Sequence, residues 1–208
     1  MKLVILGATG GIGLELVRQS IERGHQVTAL VRRPEPLNSF SNRAKIIQGD
    51  VLDPSRLATV LAGHDAIASG FGPRPPIAKA ESDLLTRFAS SLTIAAQQSR
   101  VRRAIIVSSA FLFKDAILPP ANLLGRMFFG KLVVDATEME RIVRTSDLDW
   151  TIVRPPRLND KPLTGKYRTR VSHLPTMGFQ ISRANVADFT LNIAENRACI
   201  REVVGVSN

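Results

Sequence analysis

An apolar run, Lys2-Leu-Val-Ile-Leu6, ends on Gly7-Ala-Thr-Gly-Gly-Ile-Gly13, and a helical pattern follows at once. No other feature restricts the fold as strongly. A buried strand that breaks on glycine and re-forms as a helix is the opening βα unit of a parallel sheet. The glycine spacing assigns each residue a task. One glycine permits the tight turn, another lets a pyrophosphate approach the backbone, and the last lets the helix pack closely on the strand. The helix start then supplies unpaired N–H groups and the positive end of its dipole. Gly7, Gly10, Gly11, Ile12 and Gly13 are therefore expected to cradle the phosphates of a dinucleotide. A plain structural βα turn is the competing reading.

The rest of the chain repeats the alternation. Strands are predicted at Gln26–Val31, Ala44–Gln48, Asp65–Ser69, Arg103–Ser108 and Trp150–Arg154. Helices are predicted at Gly11–Arg23, Pro54–Leu61, Ala80–Ser99 and about Lys131–Thr145. Gly70–Pro76 reads as a loop, and Leu118–Asn122, with two prolines, reads as irregular. The tail carries a possible strand near Tyr167–Val171, a helix from about Ala184 to Glu195 and a last strand near Glu202–Val206. This pattern predicts an α/β fold, a doubly wound parallel sheet in one Rossmann domain over 1–208. Residues 155–208 contribute a small extension on the substrate side.

Composition narrows the function classes. The chain has 208 residues, 44% of them apolar and 22% charged, enough for one full core. No apolar run is long enough to span a bilayer, and the short start lacks the pattern of a leader. One cysteine, Cys199, allows no internal disulfide and no cysteine metal cluster; it fits a reducing cytoplasm. The net charge is +10, but the arginines are scattered. The tightest group, Arg100, Arg102 and Arg103, has no interleaved aromatics. The expected partner is thus neither nucleic acid nor membrane. A monomer or weak homodimer is expected.

The strand ends carry the remaining signals. The second strand runs into Arg32-Arg33, where NAD-binding folds place a carboxylate for the ribose hydroxyl. A guanidinium matches a 2′-phosphate in charge and geometry, which favours NADP(H). The alternative is two solvated arginines. The Gly70–Arg74 loop follows the fourth strand and is expected near the pyrophosphate, with Arg74 in reach of a phosphate. Ordinary ketone reduction needs a Tyr-x-x-x-Lys acid. The only tyrosine is Tyr167, with Val171 four residues on, and the corresponding helix positions hold Leu132 and Ala136.

The spacing Gly7-x-x-Gly10-x-x-Gly13, with Gly49-Asp50-Val51-Leu52, Ser109-Ala-Phe-Leu112 and Pro155-Pro156 followed by Asp160-Lys-Pro-Leu-Thr-Gly165, resembles one family. It is that of the NADPH-dependent flavin reductases and biliverdin-IXβ reductases, atypical short-chain dehydrogenase/reductases with an NmrA-like fold. The resemblance runs nearly end to end. It implies cofactor contacts at Thr9, Gly10, Arg32, Asp50, Val51, Gly72, Arg74 and Ser109, with Arg33, Ser108 and Pro155 expected beside them. Asp50 and Val51 would meet the adenine edge, against a plain loop or capping role for Asp50. Ser109 would orient nicotinamide and acceptor, against a capping role on its turn. Phe111, Leu112, Phe113, Pro155, Pro156, Arg157 and the 160s loop would wall an acceptor pocket, although Phe111–Phe113 cannot all face one way if extended. Where the family carries a histidine after the double proline, this chain has Arg157, which cannot donate a proton at neutral pH but can hold an anion. His173 is a further candidate near the site.

The expected activity is hydride transfer from NADPH to a flat conjugated acceptor. FMN, FAD or riboflavin would bind as substrate rather than as a held cofactor, with Ser109 and Arg157 as catalytic residues and no metal. The alternative is a non-enzymatic NADP(H)-sensing protein of the NmrA type.

Overall fold

The computed structural model describes residues 1–73, 81–113 and 121–208, with side chains described from residue 130 in the last stretch. Its strands are β1 (Lys2–Leu6), β2 (Gln26–Val31), β3 (Ala44–Gln48), β4 (Ala66–Ser69), β5 (Arg103–Val107), β6 (Asp149–Arg154), β7 (Arg157–Asn159), β8 (Arg168–Val171), β9 (Gln180–Ser182) and β10 (Glu202–Ser207). The helices are α1 (Gly11–Glu22), α2 (Pro54–Leu61), α3 (Leu84–Ser99), α4 (Ala121–Thr145) and α5 (Arg183–Glu195). Eight strands form the main sheet in the order β3-β2-β1-β4-β5-β6-β10-β8. All are parallel except β8, which pairs antiparallel with β10 at the edge. The predicted doubly wound sheet is thus observed.

Alternation along β1 explains why both faces are covered. Leu3 and Ile5 enter one core with α1 and α5, whereas Val4 and Leu6 enter the other with α2, α3 and α4. A strand buried on both faces must be apolar throughout, and the run at residues 3–6 is. Strand order reverses between β1 and β4. The first βα turn and the β4 loop therefore meet at the carboxyl ends of the strands, where such sheets hold ligands.

Three departures from the sequence expectation have identifiable causes. First, α4 starts at Ala121 rather than near Lys131, so Ala121-Asn122 are helical; residues 118–120 of the expected irregular stretch lie outside the described residues. Prolines just before a helix start do not break it, because the first turn lacks N–H partners anyway. Second, α3 starts at Leu84 rather than Ala80. Its start is set from elsewhere in the chain: the buried Asp135 of α4 accepts from Leu85 N at 2.8 Å, Thr86 N at 2.9 Å and Thr86 Oγ1 at 2.7 Å. Third, β7 and β9 form a small parallel pair, Arg157 opposite Gln180, that no local pattern announces.

Arg103 corrects the view of the basic residues as surface charge. It is 3% exposed, and its guanidinium donates to the carbonyls of Asp149, Ile193 and Ala198 and to Thr151 Oγ1. It ties the start of β5 to β6 and to the turn after α5. No helix among the described residues is long and apolar enough to cross a membrane.

Asp135→Ala removes the carboxylate that caps α3 and leaves buried donors unpaired. It is expected to cost about 2 kcal/mol of stability, read as a lower urea midpoint at unchanged slope.

Candidate functional site

At the switch point the backbones pack without room for side chains. Gly7 has φ +70°, and a Cβ there would lie 2.6 Å from Phe71 Cα. A Cβ on Gly13 would lie 2.0 Å from the carbonyl oxygen of Gly7, and one on Gly70 would lie 3.1 Å from Gly13 N. The β1 turn, the start of α1 and the β4 loop are thereby locked together, and stacking of Phe71 on Phe88 at 4.6 Å anchors the loop to α3. Gly10 is different. A Cβ there would meet only Gly7 O at 3.3 Å and Gly70 O at 3.9 Å, so its outer side is open. Gly10 is the N-cap of α1, offers no side-chain cap, and no acidic residue follows in the first turn. This cradle fits a diphosphate, with the orphan donors of the helix start unclaimed by a side-chain cap. Thr9 is half-buried beside it, Ile12 points into the core and Gly11 is exposed.

The neighbouring strand ends form a second region. Arg32 and Arg33 are exposed directly after β2, and Gln48 Nε2 donates to the Arg32 carbonyl at 3.3 Å. Arg56, not singled out from sequence, joins them: its guanidinium donates to the Gln48 carbonyl at 3.1 Å. Its place on α2 gave no hint of this. Asp50 is exposed and accepts from Leu52 N at 3.0 Å, so one carboxylate oxygen shapes the turn and the other is left for a ligand. Val51 has its side chain in the core and its carbonyl on Ser91 Oγ at 2.8 Å; any adenine contact from it must come from the backbone. Gly72 is exposed with open space around it. Arg74 lies outside the described residues.

Behind the end of β5 sits a buried charged cluster that the sequence did not reveal. Glu140 of α4 accepts from Ser108 Oγ at 2.7 Å and from Arg154 Nε at 3.0 Å and Nη2 at 2.5 Å. The Arg154 guanidinium covers the Phe113 ring at 4.6 Å. Ser108 thus spends its hydroxyl hydrogen on Glu140, which makes it a positioning residue for the turn. Ser109 accepts from Phe111 N at 3.4 Å as the cap of a short 3-10 turn, Ala110–Leu112, and among the described residues no acceptor takes its hydroxyl hydrogen. Ala110 N donates to the Pro155 carbonyl at 3.0 Å, so the β5 and β6 ends move as one. Phe111 is 55% exposed, but Phe113 is buried. Phe113 therefore does not wall an acceptor pocket, because the 3-10 turn rotates it inward under Arg154.

On the face of α4 that presents Glu140, Leu132 is half-buried and Ala136 buried, both against the core. Neither position holds a Tyr or Lys, and the carboxylate of that face, Glu140, is engaged by Ser108 and Arg154. Tyr167 is committed elsewhere: its hydroxyl donates to Asp188 Oδ2 at 2.7 Å and accepts from Asn192 Nδ2 at 2.9 Å, in the cluster where Arg23 of α1 pairs with Asp188 of α5 at 2.6 Å. Burial foremost, with the Asp188 carboxylate second, pushes its pKa well above the ordinary phenol range. It is a structural hydroxyl and a poor proton donor.

The extension completes the rim. Arg157 is exposed on β7. The 160s loop is pinned by the buried Asn185, whose Oδ1 accepts from Thr164 N at 3.0 Å and Gly165 N at 3.3 Å. The His173 carbonyl packs over Gly205 of β10, which pairs with Arg154, and its Nδ1 lies 3.3 Å from the Val171 carbonyl. The turn before it pairs Ser172 N with the Val203 carbonyl at 2.7 Å. Met177 and Phe179, 75% and 74% exposed, precede β9.

Comparison with known proteins follows the same outline. Residues 7–197 match the family model described as NAD(P)H-binding. An uncharacterized chloroplastic protein of Arabidopsis thaliana is 32% identical over 79% of this chain, and the photosystem II assembly factor Ycf39 of Guillardia theta is 30% identical over 73%. The chain spans only 61% and 45% of the lengths of these two relatives. Among solved structures, ChuY, an anaerobillin reductase from Escherichia coli O157:H7, superposes over 100% of this chain and 97% of its own, with TM-score 0.82 at 23% identity. That likeness is one of fold.

Glu140→Ala would leave the Arg154 guanidinium buried without its partner. A loss of about 3 kcal/mol is expected, and a chemical melt that fails to shift would show that the pair does not hold the β5 and β6 ends.

Proposed function

This chain belongs to the NAD(P)H-binding family, and we propose that within it the protein is an NADPH-dependent reductase of flat conjugated acceptors such as flavins or linear tetrapyrroles. When bound, the nicotinamide supplies a hydride at C4; the protein supplies binding, alignment and charge.

The observation that carries the acceptor class is the want of an unengaged acid beside the Ser108-Ser109 turn among the described residues, where Glu140 of α4 is paired with Arg154 and accepts from Ser108 Oγ. Leu132 and Ala136 occupy the positions where a ketone reductase needs its acid, and Tyr167 is locked onto α5. Reduction of an isolated carbonyl creates a strongly basic oxyanion and suffers without that acid. A conjugated acceptor spreads the added electron pair over its rings, so solvent can deliver the proton afterwards. Ser109, with its hydroxyl hydrogen left to donate, orients the reacting pair. Arg157 on the exposed β7 edge offsets the negative charge that develops on the acceptor.

Arg32 and Arg33 support the choice of NADPH over NADH. Both are exposed at the end of β2, with Arg56 close by, in a region where the two carboxylates of the adjoining turn accept from backbone N–H groups, Asp50 from Leu52 and Asp53 from Ser55 and Arg56. The similarity to Ycf39, whose name denotes an assembly factor, supports a second reading as an NADP(H)-dependent binding protein without turnover.

The test is NADPH oxidation by the purified protein with FMN, riboflavin and biliverdin in parallel and NADH as control. Acceptor-dependent oxidation that prefers NADPH is expected. Tight NADPH binding without turnover of any acceptor would favour the binding-protein reading. Arg32→Ala should weaken NADPH by about tenfold or more and leave NADH nearly unchanged; an unaltered preference would sink the 2′-phosphate assignment. Ser109→Ala should lower kcat by about tenfold or more with little change in NADPH affinity, and equal losses in both would contradict an orienting role.

A further inference from the structure

Arg183, the first residue of α5, reaches across to the glycine turn. Its Cδ and Nε lie 2.5 and 2.6 Å from where a Cβ on Gly11 would stand. Gly11 is the first residue of α1, and the far end of the arginine side chain lies directly over it. The charge arrangement is unusual. The guanidinium stands beside the positive end of α1 and is itself at the positive end of α5, and neither helix carries an acidic residue in its first turn. Cations are disfavoured at helix N-termini. Ser182 already caps α5 by accepting from Asn185 N at 3.1 Å, so Arg183 does not serve as a cap. Its ion-pair partner is Asp160, at 2.6 Å, and that carboxylate is 86% exposed. An exposed pair contributes little to stability, so the fold gives small return for placing a guanidinium there.

We propose that Arg183 is a ligand of the cofactor's diphosphate, working opposite the open side of Gly10, with Asp160 as its exchangeable partner. The inference rests on the dinucleotide reading and adds a residue that the glycine motif does not contain. A guanidinium at the mouth of the cradle supplies two parallel donors to phosphate oxygens, in addition to the backbone donors of α1. Exchange also links the two ends of the site. Asp160 opens the 160s loop that continues to Thr164 and Gly165, so transfer of Arg183 from carboxylate to phosphate releases the start of that loop on the acceptor side.

The contribution is common to NADPH and NADH, because both carry the diphosphate. That separates it from Arg32. Binding is measured at low salt by the fluorescence of the reduced nicotinamide, with unfolding curves as the folding control. Arg183→Ala is expected to raise Kd for both dinucleotides by about tenfold while leaving the urea midpoint in place, and Arg183→Lys to recover part of the loss. Adenosine 2′-monophosphate, which has no diphosphate, should compete for Arg183→Ala as well as for the wild type and lose affinity only with Arg32→Ala. Asp160→Asn should tighten NADPH severalfold. An Arg183→Ala protein whose Kd for both dinucleotides stays within twofold of wild type would overturn the assignment while leaving the NADPH reading intact. Failure of the wild type to bind either dinucleotide would overturn both.

Discussion

Everything at the working edge of this protein depends on backbone meeting backbone where β1 and β4 diverge. The carbonyl of Gly7 lies so near Gly13 that a methyl group would overlap it, and Phe71 closes on Gly7 from the other side. Close packing of this kind has no slack; a side chain at any of these points would displace a strand end rather than a rotamer. The same geometry leaves the amino end of α1 without a capping side chain of its own, and the side chain that crosses it is Arg183, from α5. Helix start, turn and β4 loop then form one rigid frame, and ligand groups are oriented by main-chain donors that need no reorganisation.

Charge is used in three distinct ways, although the composition presents it as a uniform surplus of arginine. Arg103 is buried and functions as a four-way clamp on carbonyls and a hydroxyl. Arg154 is buried against Glu140 and carries the Ser108 turn with it. Arg32, Arg33 and Arg157 are exposed and Arg183 is half-buried, all outside the core, and we assign them to an anionic ligand. Burying a guanidinium is costly unless it is paired: the two terminal nitrogens of Arg103 meet four acceptors, although its Nε finds none among the described residues, and Arg154 meets Glu140, so both are structural. The other four face no such demand.

The acceptor side is defined as much by what surrounds Ser109 as by Ser109 itself. A 3-10 turn, capped by its hydroxyl, rolls Phe113 under Arg154 and leaves Phe111 outside. Apolar residues on α4 fill the place of a proton donor. Tyr167, chemically the obvious candidate, is held between Asp188 and Asn192 and is pushed further from acidity by burial. Such a site suits chemistry in which alignment matters more than acid catalysis.

Local physics made much of this legible in the chain itself. Glycine spacing, two-sided apolar strands and helix periodicity determined the sheet, its parallel sense and the turn that faces the phosphates, because each depends on neighbours within about ten residues. Strand-end arginines were equally visible, since a short strand places its next residue at the crevice. What only the tertiary structure decided are the relations between distant segments. Asp135 caps a helix some fifty residues earlier, Glu140 joins Ser108 to Arg154, β7 finds β9, and Arg183 crosses Gly11. None of these pairs is close in the chain, so no local periodicity encodes them; they arise when the packed sheet brings remote segments within reach of one another.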